Sequence, residues 1–437
     1  MNIPRRTSLP ALLALLISAA TAVSAASGVS TPAAPPAGAP ARFAASHEGA
    51  GFIYGQVMMR DGATHEGYLR WKDEDAFWDD LFSARQNDPP WFEYADQEQL
   101  AADQRQRYYQ SHGLVDRLAW AMHHRDDEVK ISRRFICRYG DLAALKLTED
   151  EEEPVVAVVR DGREVTVRGP SRDVDSDLLV YGKTDKPAEL AWADVREIRF
   201  AAAPATATPY ARRLAGTVEA RGGTLVGNLQ WDTSECTSLD VLDSKQEDVP
   251  LEKVRRIARN RRGGSSVTLL DGRALELEGT NDVGEGNRGV AVEVAGLGRV
   301  LVPWNRFTAA DLRLVPAVSP SYADFAVPTP LKGTIATNDG KTLVGRLVYD
   351  LDEAYTCDLL HGKLEECDYQ IPFARVAAIA PRGEATCEVT LRDGRKLVLG
   401  GDEDTGEGNA GMLVFADGQE KPTWLPWSAV KRIDFTP

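Results

Sequence analysis

The chain has 437 residues, with 66 acidic side chains against 51 basic ones and a formal net charge of −15. So acidic a balance argues against wrapping a phosphate backbone or docking on anionic headgroups, and no nucleic acid is expected as a partner. Apolar residues make up 43% of the sequence, enough for sizeable cores, and the length calls for several folded units.

Residues 1–25 have the form of an export leader. Arg5 and Arg6 give the positive start, Leu9 to Ala22 the apolar stretch, and Val23-Ser24-Ala25 a small-residue cleavage motif. The apolar run is short for a retained membrane span, and no later segment is apolar enough for one. The expected location after cleavage is periplasmic or secreted. Residues 26–50, rich in Ala and Pro, read as a disordered tether.

From residue 51 onward the chain repeats itself. WKDEDAFWDDLF (71–82), WDTSECTSLDVL (231–242) and YDLDEAYTCDLL (349–360) correspond. Each has a glycine four residues earlier (Gly67, Gly227, Gly345) and an aspartate nine residues after its first aromatic (Asp80, Asp240, Asp358). Downstream, VRDGREVTV, LLDGRALEL and LRDGRKLVL keep the same order, and each copy closes on a tryptophan (Trp192, Trp304, Trp427). Self-similarity on this scale predicts a tandem array of one folded unit. Low-complexity connections at 201–213 and 316–330 divide it into units over 51–200, 214–315 and 331–437.

Within each unit, apolar and polar residues alternate between Asp-Gly and Gly-Gly turns, which predicts an all-β protein. Two halves follow in each unit. Each half closes on a tail with apolar residues at steps of three, such as Phe373, Val376 and Ile379, or Trp427, Val430 and Ile433. That step predicts a 3₁₀ turn leading into a last strand. The first unit is longer than the third by a stretch over roughly 86–130. There Leu114, Leu118 and Met122 recur at helical spacing, which predicts one or two helices laid over the first unit.

GGTLVGNLQWD (222–232) and DGKTLVGRLVYD (339–350), each a glycine-marked strand ending in an aromatic and an acid, resemble the small five-stranded barrels of the SH3-like and Sm-like kind. The resemblance implies that each unit is a pair of such barrels. It carries no RNA-binding function here, because the corresponding loops are acidic.

Chemistry is sparser. TNDVGEGNRG (280–289) and DEDTGEGNAG (402–411) set oxygen side chains among glycines. Asp282, Glu285 and Asn287, with their counterparts Asp404, Glu407 and Asn409, are candidate Ca²⁺ ligands, although their order is not that of an EF-hand. Otherwise these are solvated turns, and no other cofactor is expected. Of the nine tryptophans, those locked to the repeat read as core, whereas Trp78, Trp91, Trp120 and Trp424 read as a candidate binding surface. Cys357 and Cys367 are placed to form a disulfide across the turn HGKLEE, the alternative being small buried hydrophobes. The recurring Asp80, Asp240 and Asp358 read as structural acids that hold backbone N–H groups of the adjacent turn. No Ser-His-Asp set, nucleophile elbow or phosphate loop assembles from the sequence, so catalytic residues are not assigned.

These observations point to an exported, non-enzymatic β-repeat protein acting as a protein-binding or envelope scaffold module. The expected partner is an envelope protein. A carbohydrate- or peptidoglycan-binding protein that holds cell-wall glycan on exposed tryptophans is the alternative. An enzyme with its site under the 86–130 insertion is the second alternative.

Overall fold

The structure is a computed structural model that describes residues 47–437 except 73, 88, 101, 103–131, 149–154, 170–172, 183–185, 316–318, 384, 402–403 and 407. The leader, most of the tether, the helical run at Leu114–Met122, Trp120 and Glu407 lie outside the described residues. Strands dominate, as the alternation requires, and three blocks of ten strands follow one another.

In the first block the ten strands are Tyr54–Met59, Thr64–Trp71, Leu81–Asn87, Ser132–Arg138, Leu142–Leu147, Val155–Val159, Glu164–Val167, Leu178–Tyr181, Ala188–Leu190 and Val195–Phe200. Eight of them form one antiparallel sheet in the order ninth, eighth, second, first, tenth, fifth, sixth, seventh. The second block, from Arg213–Ala220 to Phe307–Val315, repeats these pairings strand for strand. The third, from Lys332–Thr337 to Val430–Phe435, does so again. The third and fourth strands pair with each other in every block, as a separate ribbon in the first two and as part of the large sheet in the third.

That order ties the two halves of each unit together. The second strand takes as its neighbour not the third but the eighth, which comes from the other half, as in Gly227↔Val294 and Leu229↔Val292. The displaced ribbon leans on the seventh strand instead. Arg85 N donates to Arg168 O at 3.1 Å, Lys245 N donates to Glu278 O at 3.0 Å, and Lys363 pairs with Gly400. Each block is thus knit across its halves, and no closed barrel is found among the described residues.

Paired glycines make the crossing sterically possible. Gly55, Gly216 and Gly333 of the first strands face Gly67, Gly227 and Gly345 of the second strands. A Cβ on any of the six would overlap a carbonyl oxygen of the tenth or the eighth strand. At the Asp-Gly turns the reason is conformational. Gly62, Gly162, Gly272 and Gly394 all have φ near +90°, and the preceding aspartates accept the backbone N–H two residues on.

The three-residue tails become 3₁₀ turns, such as Trp192–Asp194, Phe373–Arg375 and Trp427–Ala429, each running into a strand. Aromatics of the tails lie in the core, Tyr139 beside Trp71, Trp304 beside Trp231, and Phe373 and Trp427 beside Tyr349. The second and third blocks share one core and join where Arg299 pairs with Gln370 and Leu301 with Asp368. The first block has its own core, which reaches Cys236 and Cys357 of the other blocks and Phe325 of the connection between them. The insertion leaves from the tip of the first block's ribbon. Its described start, with Phe92, Ala95 and Leu100 buried, packs on Val348, Leu351 and Leu413 of the third block rather than on the first.

Candidate functional site

The repeated aromatic turn organises the acids around it. Its lead ring bonds the carbonyl of a loop aspartate. Trp71 Nε1 donates to Asp173 O at 3.1 Å, Trp231 Nε1 to Asp282 O at 2.9 Å, and the Tyr349 hydroxyl to Asp404 O. That aspartate's carboxylate then accepts a backbone N–H of the ribbon: Ser83 at 2.6 Å, Asp243 at 2.8 Å and His361 at 2.6 Å. In the two long loops, Asn287 and Asn409 each donate to the same carbonyl and accept the N–H two residues on.

This geometry relocates the acidic chemistry. Asp282, Asn287, Asp404 and Asn409 are buried and engaged in holding their loops, whereas Glu285 is exposed. Glu407, of the other candidate set, lies outside the described residues. Carboxylates converge where the turn after the aromatic meets that loop: Glu74 and Asp75 with loop Asp173 in the first block, Asp232 and Glu235 with loop Asp282 in the second, and Asp350, Asp352 and Glu353 of the turn itself in the third. One oxygen from each member lies within 4.8 Å of the others. The signal was present in the sequence as an acid four residues after each lead aromatic (Asp75, Glu235, Glu353), but only the fold brings these side chains together.

Burial controls their ionisation. It pushes Glu235 up to about 9, helped by the charge of Asp282. It also lifts Asp282 to about 6, against the N–H of Asp243. Glu353 is raised well above the carboxylate range by burial and then by Asp352, Asp404 and Asp350.

The recurring aspartates occupy the role read for them. One oxygen of Asp80 accepts the N–H groups of Ala76 and Phe77, and Asp240 and Asp358 do the same for Cys236 and Thr237, and for Ala354 and Tyr355. In two of them the second oxygen meets an arginine of another block. Arg299 Nη2 lies 2.8 Å from Asp80 and Arg70 Nη1 2.8 Å from Asp240, while Arg213 bonds Asp79 at 2.6 Å. Sequence reading found the caps and missed these inter-block partners.

A cleft of about 310 Å³ opens where the first block's ribbon faces the third block. Trp91, Arg134, Arg163 and Glu164 line one side, and Asp352, Glu353, Tyr355 and His361 the other. The Arg163 guanidinium sits 3.1 Å over the Tyr355 ring. Cys357 follows that turn but is buried, and burial drives its thiol well above the ordinary range, which disfavours it as a nucleophile. Fixed positive, negative and aromatic groups facing a concavity suit ligand capture.

The tryptophan set divides. Trp78 is fully buried, its indole N–H bonded to Ala50 O at 3.1 Å and its ring against Tyr322, so it is removed from the candidate surface. Trp91 is half-buried between Phe415 and Arg346. Trp424 is half-buried with its N–H on Ala410 O, and Trp120 lies outside the described residues. The expected Cys357–Cys367 bridge is also overturned. Both thiols are free, and the hairpin register sets Cys367 opposite Leu364 while Cys357 lies beyond the other end, past Leu359↔Pro372. Among the described residues no helix is long and apolar enough to cross a membrane. Comparison of the chain with protein-family models, with curated proteins and with solved structures gives no match.

Proposed function

We propose that the chain is an exported, non-enzymatic β-repeat protein that binds a partner protein of the envelope in the cleft between its first and third blocks. The observation that carries this reading is the seating of the insertion's start on the third block, which brings Trp91 and Arg134 against Tyr355 and Glu353. A surface assembled from distant parts of one chain, mixing guanidinium, carboxyl and aromatic groups, has the character of a recognition site. The paired halves fit two SH3-like sheets that have exchanged their third, fourth and fifth strands. One would hold the first, second, eighth, ninth and tenth strands, the other the remaining five. Fold likeness by itself transfers no function, so the cleft and not the topology supports the binding role.

The test is crosslinking in intact cells, followed by purification and mass spectrometry of the tagged chain, beside the variants Trp91→Ala and Arg134→Ala. A stoichiometric protein partner lost from both variants is the expected result. Recovery of wall glycan without a protein partner would transfer the proposal to carbohydrate binding through Trp91 and Trp424. That outcome predicts quenching of tryptophan fluorescence by glycan fragments.

A further inference from the structure

The second and third blocks are joined by one strand pairing. The ninth strand of the second block, Gly298–Val302, lies antiparallel beside the fourth strand of the third, Cys367–Pro372. Arg299 faces Gln370, Val300 faces Tyr369 and Leu301 faces Asp368. The first block carries the same fourth strand, Ser132–Arg138. Aligned on the capping aspartates Asp80 and Asp358, its Ile136, Phe135 and Arg134 stand where Gln370, Tyr369 and Asp368 do. No ninth strand meets them, and among the described residues the one strand partner of Ser132–Arg138 is Leu81–Asn87. The second block offers no such edge, since its fourth strand is only Val249–Pro250 and ends on a proline.

The direction of this edge follows from the ribbon's own hydrogen bonds. On its third strand, Ser83 N donates to Asp173 at 2.6 Å and Arg85 N to Arg168 O at 3.1 Å, both away from the fourth strand. In an antiparallel pair, residues opposite one another turn their N–H groups both inward or both outward. Ile136, opposite Ser83, and Arg134, opposite Arg85, therefore aim theirs away from the third strand. The third block shows what such an edge does. There His361 N goes to Asp404 at 2.6 Å, and Gln370 opposite it is the residue that meets Arg299. In the first block Arg134, Phe135 and Ile136 line the cleft, with Glu353 and Tyr355 of the third block on its other side. A concavity of about 310 Å³ admits a short extended chain and not another folded block.

We propose that the cleft holds its partner by strand addition: an extended segment of the partner protein lies antiparallel to Arg134–Ile136, as Gly298–Val302 lies against Cys367–Pro372. Backbone pairing supplies the affinity, and the seats for alternate side chains supply the selectivity. The seat opposite Phe135 corresponds to Val300, which is fully buried in the joint between the second and third blocks. Phe135 itself is only partly buried, with its ring 6.4 Å from that of Phe82. The partner residue facing it should therefore be β-branched or otherwise apolar. The proposal rests on the reading that a partner protein occupies the cleft, and adds how that partner is held.

The test uses the chain's own joint as the probe. A capped synthetic peptide of residues 296–303 (GLGRVLVP), fluorescently labelled, is titrated into the purified full chain and followed by anisotropy. Hydrogen-exchange mass spectrometry is run on the same mixture. A second peptide is N-methylated at the residues corresponding to Arg299 and Leu301, whose amides face the fourth strand. Saturable binding with new protection over 132–138 is expected for the first peptide, and binding weaker by about tenfold or more for the second. Ile136→Pro removes the outward N–H while sparing the bonds to the third strand, and should weaken the first peptide similarly. Circular dichroism and Tm check that this variant folds, and the N-methylated peptide gives the same answer on the unaltered chain. Absence of binding up to about 1 mM would overturn the proposal, as would equal binding of the two peptides. A partner protein recovered by crosslinking while the peptide fails would sink strand addition and leave the cleft reading standing. Peptide binding with no partner protein recovered would support the strand edge and count against the cleft reading alone.

Discussion

Asp80 combines two duties in one side chain: one oxygen closes a turn of the first block and the other holds Arg299 of the second. Replacing it by alanine removes the cap and leaves Arg299 and Arg213 buried near a lost charge. Denaturant unfolding of Asp80→Ala should show a loss of about 3–5 kcal/mol. Glu235 makes a pH prediction. Its native pKa of about 9 lies above the ordinary glutamate value, so the native state retains a proton that the unfolded chain releases. The stabilisation is complete below about pH 4.5, the ordinary glutamate range, and is lost as pH rises toward 9. Asp282, Asp232 and Asp240 face the group and add to the rise in its pKa. Unfolding free energy measured between pH 5 and 9 should fall with a steeper slope in the wild type than in Glu235→Gln. At this scale the sequence was legible where spacing encodes a local bond, as in the aspartate caps. It was silent where the partner arrives from another block, as with Arg70 and Arg299.

Among the elements, the strand exchange turns on the glycine pairs. Gly345→Ala would place a methyl group against the Phe415 carbonyl and force the second and eighth strands apart. A destabilisation of about 1–3 kcal/mol, the usual cost of overpacking, is expected by thermal or denaturant unfolding. Gly394→Ala meets no neighbour but must adopt φ +87°, so its cost should be smaller, about 1 kcal/mol. The turns, the tails and the repeat could be read in advance, because Asp-Gly dipeptides and three-residue steps encode local geometry. Pairing between halves could not. A strand's period of two fixes which face is buried and leaves its neighbour undetermined, so a second strand that pairs with the eighth looks the same in sequence as one that pairs with the third. The Cys357–Cys367 expectation failed for the same reason, since hairpin register is set by the turn and not by the spacing of two cysteines.

Across the whole molecule, the shared core of the second and third blocks should make them unfold together, while the first block is held to them by buried ion pairs and by the seat of its insertion. Hydrogen-exchange mass spectrometry on Arg299→Met should show protection lost over 54–200 before it is lost over 213–437. An equal loss everywhere would mean that the blocks are one cooperative unit. The exchange of strands also has a consequence in time. In every block one edge of the first strand waits for the tenth, so the first strand of the third block, Lys332–Thr337, pairs at once with the second but covers its other edge only once Val430–Phe435 exists. A chain emerging from synthesis or from an export channel thus carries a bare strand edge for about a hundred residues, during which it is open to mispairing with another copy. Copies truncated before residue 430 should therefore associate with one another through that edge, whereas the complete chain, with its last strand in place, keeps it covered.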